Sequence, residues 1–200
     1  MTVLTKSYSA PSINKREILR YAQVSNPTQE ILSLMEECIA LAEKEISYKV
    51  CYCEFPIKIY DGMIDMQFAT TFSKDLQKNL DGCSSAIVFG ATLGSGLDRL
   101  ITRYGSISPS KAFMLQAIGA ERIEALCNVF NNEKKAEAEA IKKTVSPRFS
   151  AGYGDLPLEF QREIFNALDC SRKIGLTLNS SLLMSPTKSV TAIIGIKNSI

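Results

Sequence analysis

Residues 147–195 limit the possible folds of this chain more than any other segment. They begin with a short turn in which Arg148 stands four positions before Gly152 and five before Tyr153. A helix that starts at Pro157, a loop rich in Leu, Ser and Met, and a strand rich in β-branched residues follow in that order. Proline favours the first turn of a helix, and β-branched residues favour strands. We therefore expect a mixed domain that contains both helices and a sheet.

The overall composition is that of an ordinary globular chain. Of the 200 residues, 46% are apolar and 22% are charged, so a core can form without a disulfide or a metal. The net charge of +2 arises from interspersed basic and acidic residues, which leaves no stripe for nucleic acid or a membrane surface. No apolar run reaches the roughly 18 residues of a membrane span. The N-terminus lacks the features of a signal peptide, so we expect a cytoplasmic protein.

The chain contains six cysteines and no histidine. The absence of histidine removes the commonest general base, the usual partner of a nucleophilic Ser or Cys, and the commonest metal ligand. A hydrolase or a zinc enzyme is therefore disfavoured. Cys51 and Cys53 fall in an alternating segment, which would place both thiols on one face of a strand. We expect the cysteines to be reduced and buried, like small apolar side chains.

Hydrophobic periodicity predicts the elements that precede residue 147. Helical spacing of apolar residues predicts five helices, over 13–24, 28–46, 73–80, 97–104 and 109–130. Asn131-Asn132 is expected to interrupt the last helix, and 132–143 to continue it as an exposed, charged helix. Strands are predicted over 50–59, 65–70 and 85–91. We expect an N-terminal helical arm, residues 1–48, on a compact unit of residues 49–200.

A glycine-rich loop from Gly90 to Gly96 connects a predicted strand to a predicted helix. Such a loop either holds an anion on its N–H groups or packs a helix tightly on a strand. It lacks the Gly-Lys-Ser/Thr of a phosphate-binding loop, and Arg99 replaces the third glycine of the dinucleotide fingerprint. Tight packing is therefore the preferred interpretation.

The motifs of residues 147–195 resemble the activation domain of cobalamin-dependent methionine synthase. That domain has an Arg-x-x-x-Gly-Tyr turn, a proline, a helix ending near Ile/Met-Gly, a Leu/Thr/Ser run and Met-x-Pro-x-x-Ser-Val. Here the corresponding positions are 148–153, Pro157, Ile174-Gly175, 176–180 and 184–190. The resemblance also covers 84–130. It implies an α+β fold with a twisted, mostly antiparallel sheet flanked by helices.

The family binds S-adenosylmethionine and remethylates an oxidised corrinoid, and the resemblance implies the same chemistry here. This chain would support reductive methylation of cob(II)alamin on a separate corrinoid-binding methionine synthase subunit or a similar corrinoid protein, together with an electron donor protein. It looks like a free-standing activation subunit, because the homocysteine, folate and corrinoid modules are not in the sequence. The alternative is an S-adenosylmethionine-binding regulatory or assembly protein without corrinoid chemistry. Whether the chain is itself an enzyme stays open.

The resemblance implies roles for residues of the turn. Arg148 would pair with the ligand carboxylate, since a planar guanidinium binds a carboxylate in a bidentate way. Ser150, Ala151 and Gly152 would supply backbone contacts, with Gly152 at positive φ or in close contact with another group. Tyr153, the expected catalytic residue, would lie at the mouth of the pocket near the transferred methyl group.

A second group of residues lies outside the turn. Glu124 would accept a hydrogen bond from the ligand ammonium or ribose, with Glu121 as its competitor. Taken alone, Arg148 and Glu124 also fit ordinary surface charges. Lys188 could face an acidic partner or a corrinoid side chain. Structural roles are preferred for the other residues of the C-terminal run, which are Ser180, Met184, Pro186 and Ser189.

Two features of the family have no firm counterpart in this sequence. Asp61 and Asp65 are candidates for an acidic ligand contact that the family makes near its N-terminus. The family chain continues past the Ser-Val strand into a Tyr-bearing segment that helps to bind the adenosine. The resemblance therefore implies that this part of the pocket is missing here or supplied otherwise.

Overall fold

A twisted five-stranded sheet organises the fold, and every neighbouring pair of its strands is antiparallel. The computed structural model describes residues 1–198. In their order across the sheet, the strands are β1 Leu4–Tyr8, β2 Tyr48–Pro56, β6 Cys83–Thr92, β10 Ser189–Asn198 and β7 Lys143–Val145. The α+β fold with a mostly antiparallel sheet, which the resemblance implied, is confirmed.

Helices cover both faces of this sheet. Four helices lie on one face, and their bounds are α1 Lys15–Tyr21, α2 Gln29–Ala42, α4 Ser95–Ile107 and α5 Pro109–Ala140. The opposite face carries three shorter helices, α3 Lys74–Asn79, α6 Gln161–Leu168 and α7 Cys170–Ile174, with a 3₁₀ turn at Leu158–Phe160. Two small sheets complete the second layer: β3 Lys58–Tyr60, β4 Met63–Asp65 and β5 Thr70–Thr71, and β8 Thr177–Leu178 with β9 Met184–Ser185.

Strand alternation divides the apolar side chains into two cores. Ile87 and Phe89 of β6 pack in the first core, under α5, whereas Ala86 and Val88 pack in the second core, under α6 and α7. Successive side chains of a strand point to opposite faces, so a strand that is continuously apolar must be covered on both sides. The prediction of a buried strand at 85–91 is confirmed on that basis.

Helix α5 is continuous, and the predicted break at Asn131-Asn132 is wrong. Beyond it most of residues 132–143 are exposed, as expected, but Lys134 and Ala138 are buried, and the Lys134 side chain is only 4% exposed. The Lys134 ammonium donates to the Tyr52 hydroxyl and to both carboxylate oxygens of Glu137, and it lies 4.3 Å from the Tyr52 ring centroid. Asparagine lowers helix propensity only slightly, so contacts with β2 outweigh it.

The first 48 residues contain strand β1 in addition to two helices. β1 pairs with β2 in the main sheet, and α1 and α2 contribute Ile18 and Met35 to the first core. The side chain of Asn14 accepts from the amide of Glu17 and thereby caps the N-terminus of α1. The division of the chain at residue 48 stays a prediction.

The second predicted strand segment forms shorter elements than expected. β3, β4 and β5 make a small antiparallel sheet beside the end of β2, and the turn at 60–62 joins β3 to β4.

In the glycine-rich loop, a Cβ atom on Gly94 would collide with the Ser47 hydroxyl, and one on Gly96 with the Glu45 carbonyl. These contacts support tight packing as the reason for the glycines.

Arg122 of α5 anchors the N-terminal segment to the first core. Its side chain is 0% exposed, and its guanidinium donates to the carbonyls of Pro11 and Ser12 and to the Glu121 carboxylate. Glu121 in turn accepts from the backbone amide of Asn14. A buried ion pair of this kind is destabilising when one partner is removed, because the remaining charge is left without compensation.

We expect Arg122→Ala to lower the free energy of unfolding by about 3–5 kcal/mol, because it leaves the Glu121 carboxylate buried and unpaired. Urea denaturation followed by circular dichroism measures the change. The matched control is Arg103→Ala on the exposed surface of α4, for which we expect a change within about 0.5 kcal/mol. Equal stability of the two variants would contradict an anchoring role for Arg122.

Candidate functional site

The candidate site lies where the chain leaves β7 and continues along the edge of β10. The Ser146 amide donates to the Gly195 carbonyl at 2.9 Å. Phe149 and Ile193 then exchange two backbone hydrogen bonds of 2.9 and 2.8 Å. Because neighbouring side chains of an extended segment alternate in direction, Arg148 points towards α5 while Phe149 packs on the second core.

Arg148 lies beside Glu124, and both were predicted as site residues. One guanidinium nitrogen, Nη2, donates to Glu124 Oε2 at 3.2 Å and to Asn128 Oδ1 at 3.0 Å. The Arg148 side chain is 25% exposed and that of Glu124 is 45% exposed. An ion pair so open to water contributes little to stability. Both charged groups therefore remain accessible to a ligand.

The turn that follows depends on Gly152. Its φ of +84° lies in the left-handed region, as expected from the sequence. The Gly152 amide donates to the Leu156 carbonyl at 2.9 Å, and the Tyr153 amide donates to the Ser150 carbonyl at 3.1 Å. A Cβ atom on Gly152 would lie 2.9 Å from Leu158 Cδ1. The turn thus depends mainly on the left-handed backbone conformation, because the Leu158 side chain is partly exposed and its end can move.

The exposed rim of the turn carries Tyr153, whose side chain is directed to solvent with 73% of its area exposed. Its ring contacts the Phe149 ring edge-on, with centroids 6.4 Å apart. Ala151 is buried in the second core. In the part of the chain that the structure describes, the backbone amides of Ser150 and Ala151 donate no hydrogen bond to the protein.

Asp155 fixes the far end of the turn, and the sequence analysis did not identify it. Its carboxylate accepts from the Ser73 hydroxyl and from the amides of Lys74 and Asp75 at 2.8 and 3.2 Å. The Ser73 hydrogen bond is the main cause of the lowered pKa of the Asp155 carboxyl, and the two amides add to it. Only the adjacent Gly154 hinted at a constrained turn, since the partners of Asp155 are about 80 residues away.

Glu121, the competitor of Glu124, is not available to a ligand. It is buried, and its carboxylate accepts hydrogen bonds from Arg122 and from the Asn14 amide.

The predicted residues of the C-terminal run make structural contacts: the Ser189 hydroxyl donates to Pro186 O at 2.8 Å, and the Ser180 carbonyl accepts from Arg162 at 3.0 Å. Met184 lies in β9.

Lys188 is partly buried, and burial is the main cause of its lowered pKa. Its side-chain stem lies over Gly119 of α5, where an added Cβ atom would approach Lys188 Cε within 2.9 Å.

Asp61 lies in the turn between β3 and β4, and Asp65 Oδ1 accepts from the Gln67 amide at 2.8 Å. These contacts give no support for Asp61 or Asp65 as ligand groups.

Glu124 and Asn128 also line a groove of about 310 Å³ between α1 and α5. Glu124 and Asn128 therefore contact Arg148 on one side and border the groove on the other. Among residues 1–198, no cluster of three or more acidic or thiol side chains could hold a metal ion. Over the same residues, no helix is both long and apolar enough to cross a lipid bilayer.

Comparison of folds identifies a structural relative. A crystal structure of the MetH reactivation domain bound to AdoHcy superimposes with a TM-score of 0.70, over 98% of this chain and 78% of that chain. The sequence identity is 14%, so the likeness concerns the fold. Neither a protein-family model nor a curated protein matches this sequence at a significant level. The chain therefore has the fold of the MetH reactivation domain.

We expect Gly152→Ala to lower the free energy of unfolding by about 1–2 kcal/mol, the usual cost of an L-residue in the left-handed region. Gly62→Ala is a matched control. Gly62 also has a positive φ, of +78°, but no atom lies within 4 Å of the added Cβ, so this variant reports the cost of the backbone conformation without crowding. Urea titrations of both variants measure the cost. Wild-type stability of Gly152→Ala would indicate that the turn does not need positive φ.

Proposed function

We propose that this chain binds S-adenosylmethionine at the turn formed by residues 148–153 and presents its methyl group to a corrinoid held by a partner protein. The observation that carries the proposal is the exposed Arg148–Glu124 pair beside a left-handed Gly-Tyr turn. It occurs in a chain with the fold of the MetH reactivation domain, whose crystal structure contains AdoHcy. AdoHcy is S-adenosylmethionine without the transferred methyl group.

The charges at the site complement the two ends of the ligand's amino acid. The Arg148 guanidinium suits the carboxylate, because its planar fork donates two parallel hydrogen bonds. The Glu124 carboxylate and the Asn128 side-chain oxygen suit the ammonium. The amides of Ser150 and Ala151 supply further donors to oxygen atoms of the ligand. In this arrangement the carboxylate and the ammonium of the ligand each meet a group of opposite charge or polarity.

The Arg148–Glu124 contact of the unliganded chain supports such an exchange. When the ligand binds, its carboxylate takes the place of Glu124 on Arg148, and its ammonium takes the place of Arg148 on Glu124. Neither protein charge is left without a partner, so binding avoids the cost of an unpaired charge in a partly buried site. The pair thus holds the side chains near the positions that the ligand requires.

We expect Arg148→Ala to weaken binding of S-adenosylmethionine about 10- to 150-fold. Loss of a hydrogen bond to a charged group costs about 1.5–3 kcal/mol, and about 1.4 kcal/mol corresponds to a tenfold change in Kd. Isothermal titration calorimetry with S-adenosylmethionine and with S-adenosylhomocysteine measures the effect. Arg103→Ala is the control and should bind normally. No binding by the wild-type chain, or equal affinity of Arg148→Ala, would overturn the proposed site.

The chemistry proposed for the bound ligand is an in-line displacement at its methyl carbon by a reduced corrinoid. This nucleophile needs no general base, which accords with a chain that has no histidine. The contribution of the protein is alignment of the two reactants, and alignment can lower a barrier by roughly 7–11 kcal/mol. Electrons for the reduction of cob(II)alamin come from a separate donor protein.

The surface next to the site is suited to a transient partner. Tyr153 at the rim of the turn exposes a large apolar area, and so does Leu183 of the loop of residues 182–189, which we propose to belong to the same docking surface. Aromatic side chains are common in interface centres, and a corrinoid that must also visit its other substrates requires a modest interface. We therefore place the corrinoid protein over Tyr153 and this loop.

We expect Tyr153→Ala to slow methylation of a cob(II)alamin-loaded methionine synthase fragment, because the aromatic contact at the docking surface is lost. The assay contains the chain, S-adenosylmethionine and a reductant, and follows methylcobalamin by absorbance. Tyr60→Ala, at an exposed tyrosine of β3, is the control and should be as active as wild type. If S-adenosylmethionine binds but no corrinoid protein is methylated faster than without the chain, the regulatory or assembly function is favoured instead.

A further inference from the structure

Two cysteines from distant parts of the sequence meet in the second core. Cys51 lies in β2 and Cys170 is the first residue of α7, and their sulfur atoms are 3.8 Å apart. Both residues are fully buried, at 0% and 1% exposure. Among residues 1–198, this is the only hydrogen-bonded contact between two thiols. The sequence suggested only that Cys51 would share a strand face with Cys53.

The main sheet leaves room for these two sulfur atoms at Gly90 of β6, which is paired with Cys51. A Cβ atom on Gly90 would lie 3.2 Å from the Cys170 sulfur and 3.5 Å from the Cys51 sulfur. Glycine in the interior of a strand is unfavourable and often marks a close approach of another group. Here the group that approaches is the pair of thiols.

One member of the pair borders a cavity that is open to solvent. Cys170 forms part of the wall of an open cavity of about 490 Å³, together with Ser171 and Leu176. Helix α7 has only five residues, and it is bounded by left-handed residues, Asp169 with φ +49° and Gly175 with φ +69°. A short helix separated from its neighbours at both ends can shift without unfolding α6. Such a shift would open Cys170 to the cavity.

The other buried cysteines differ in their surroundings. Burial raises the pKa of the Cys38 thiol to about 11 and that of Cys127 to about 12. In contrast, the hydrogen bond from Cys170 is the main cause of the lowered pKa of Cys51. The same hydrogen bond raises the pKa of Cys170. The thiolate is the reactive form of cysteine, so Cys51 is the member of the pair that is deprotonated more readily.

We propose that Cys51 and Cys170 form a redox-active dithiol that a hydroperoxide converts into a disulfide between β2 and α7. In the first step, a thiolate sulfur of the pair attacks the peroxide, the O–O bond breaks, and a sulfenic acid and an alcohol or water are formed. In the second step, the other sulfur attacks the sulfenic acid and water leaves. The two thiols together lose two electrons and two protons, and the peroxide is reduced.

The geometry needs only a small change for this reaction. The two sulfur atoms must approach from 3.8 Å to about 2.05 Å, so the proposed reaction requires side-chain rotation, a shift of α7, or both. The bond would hold α7 against the sheet and restrict the cavity beside it. Thiol reagents such as dithiothreitol would reverse the reaction. The inference does not depend on the proposed binding of S-adenosylmethionine.

The test treats the full chain with hydrogen peroxide at neutral pH, blocks the remaining thiols with N-ethylmaleimide, and maps peptides without reduction. We expect one cross-link, between the peptides of Cys51 and Cys170, which dithiothreitol removes. Cross-links distributed among several cysteine pairs, or oxidation of either cysteine without a cross-link, would overturn the proposal. This measurement uses the wild-type chain, so it does not depend on whether a variant folds.

Single variants provide the second measurement. Cys170→Ser and Cys51→Ser should lose the cross-link completely, and the remaining cysteine of the pair should be trapped as a sulfenic acid by dimedone. Cys38→Ser, at a buried cysteine of α2, is the matched control and should form the cross-link to the same extent as wild type. A cross-link that persists in either pair variant would show that other cysteines are responsible.

Discussion

Backbone pairing along both edges of strand β10 positions the two cores and the candidate site. The strand pairs with β6 along most of its length and with β7 on its other edge, and its side chains are buried in both cores. Its free edge beyond β7 accepts residues 146–149 by backbone hydrogen bonds. Because that pairing fixes the alternation of side chains, β10 determines that Arg148 faces α5 and that Phe149 faces the second core. The position of the candidate site therefore follows from the sheet.

Helix α5 carries two Arg–Glu contacts, and burial gives them different roles. Arg122 and Glu121 are almost completely buried and satisfy backbone groups of the N-terminal segment. Glu124, less than one helical turn further on, meets Arg148 at the surface, where both side chains keep substantial exposure. A buried pair must be retained intact to avoid an unpaired charge, whereas an exposed pair can exchange partners at little cost. Only the second pair is therefore suited to ligand binding.

The candidate ligand site and the thiol pair lie at different places in the same sheet. The turn of residues 148–153 follows the edge of β10 beyond β7, while Cys51 lies in the central strand β2 and meets Cys170 of α7. Gly152 and Gly90 serve these places in different ways. Gly152 supplies a left-handed conformation, and Gly90, which has no such conformation, supplies space.

The elements with local signals could be predicted from the order of residues. Periodicity located the main helices and the central strand β6, and the Arg-x-x-x-Gly-Tyr motif located the turn and the positive φ of Gly152. Long-range packing set four other features: the continuity of α5 through Asn131-Asn132, the pairing of β1, the hydrogen bonds of Asp155 to the start of α3, and the meeting of Cys51 with Cys170. These features join residues that are far apart in sequence. Periodicity reports which face of an element is apolar, but not which residue of another element will lie against it.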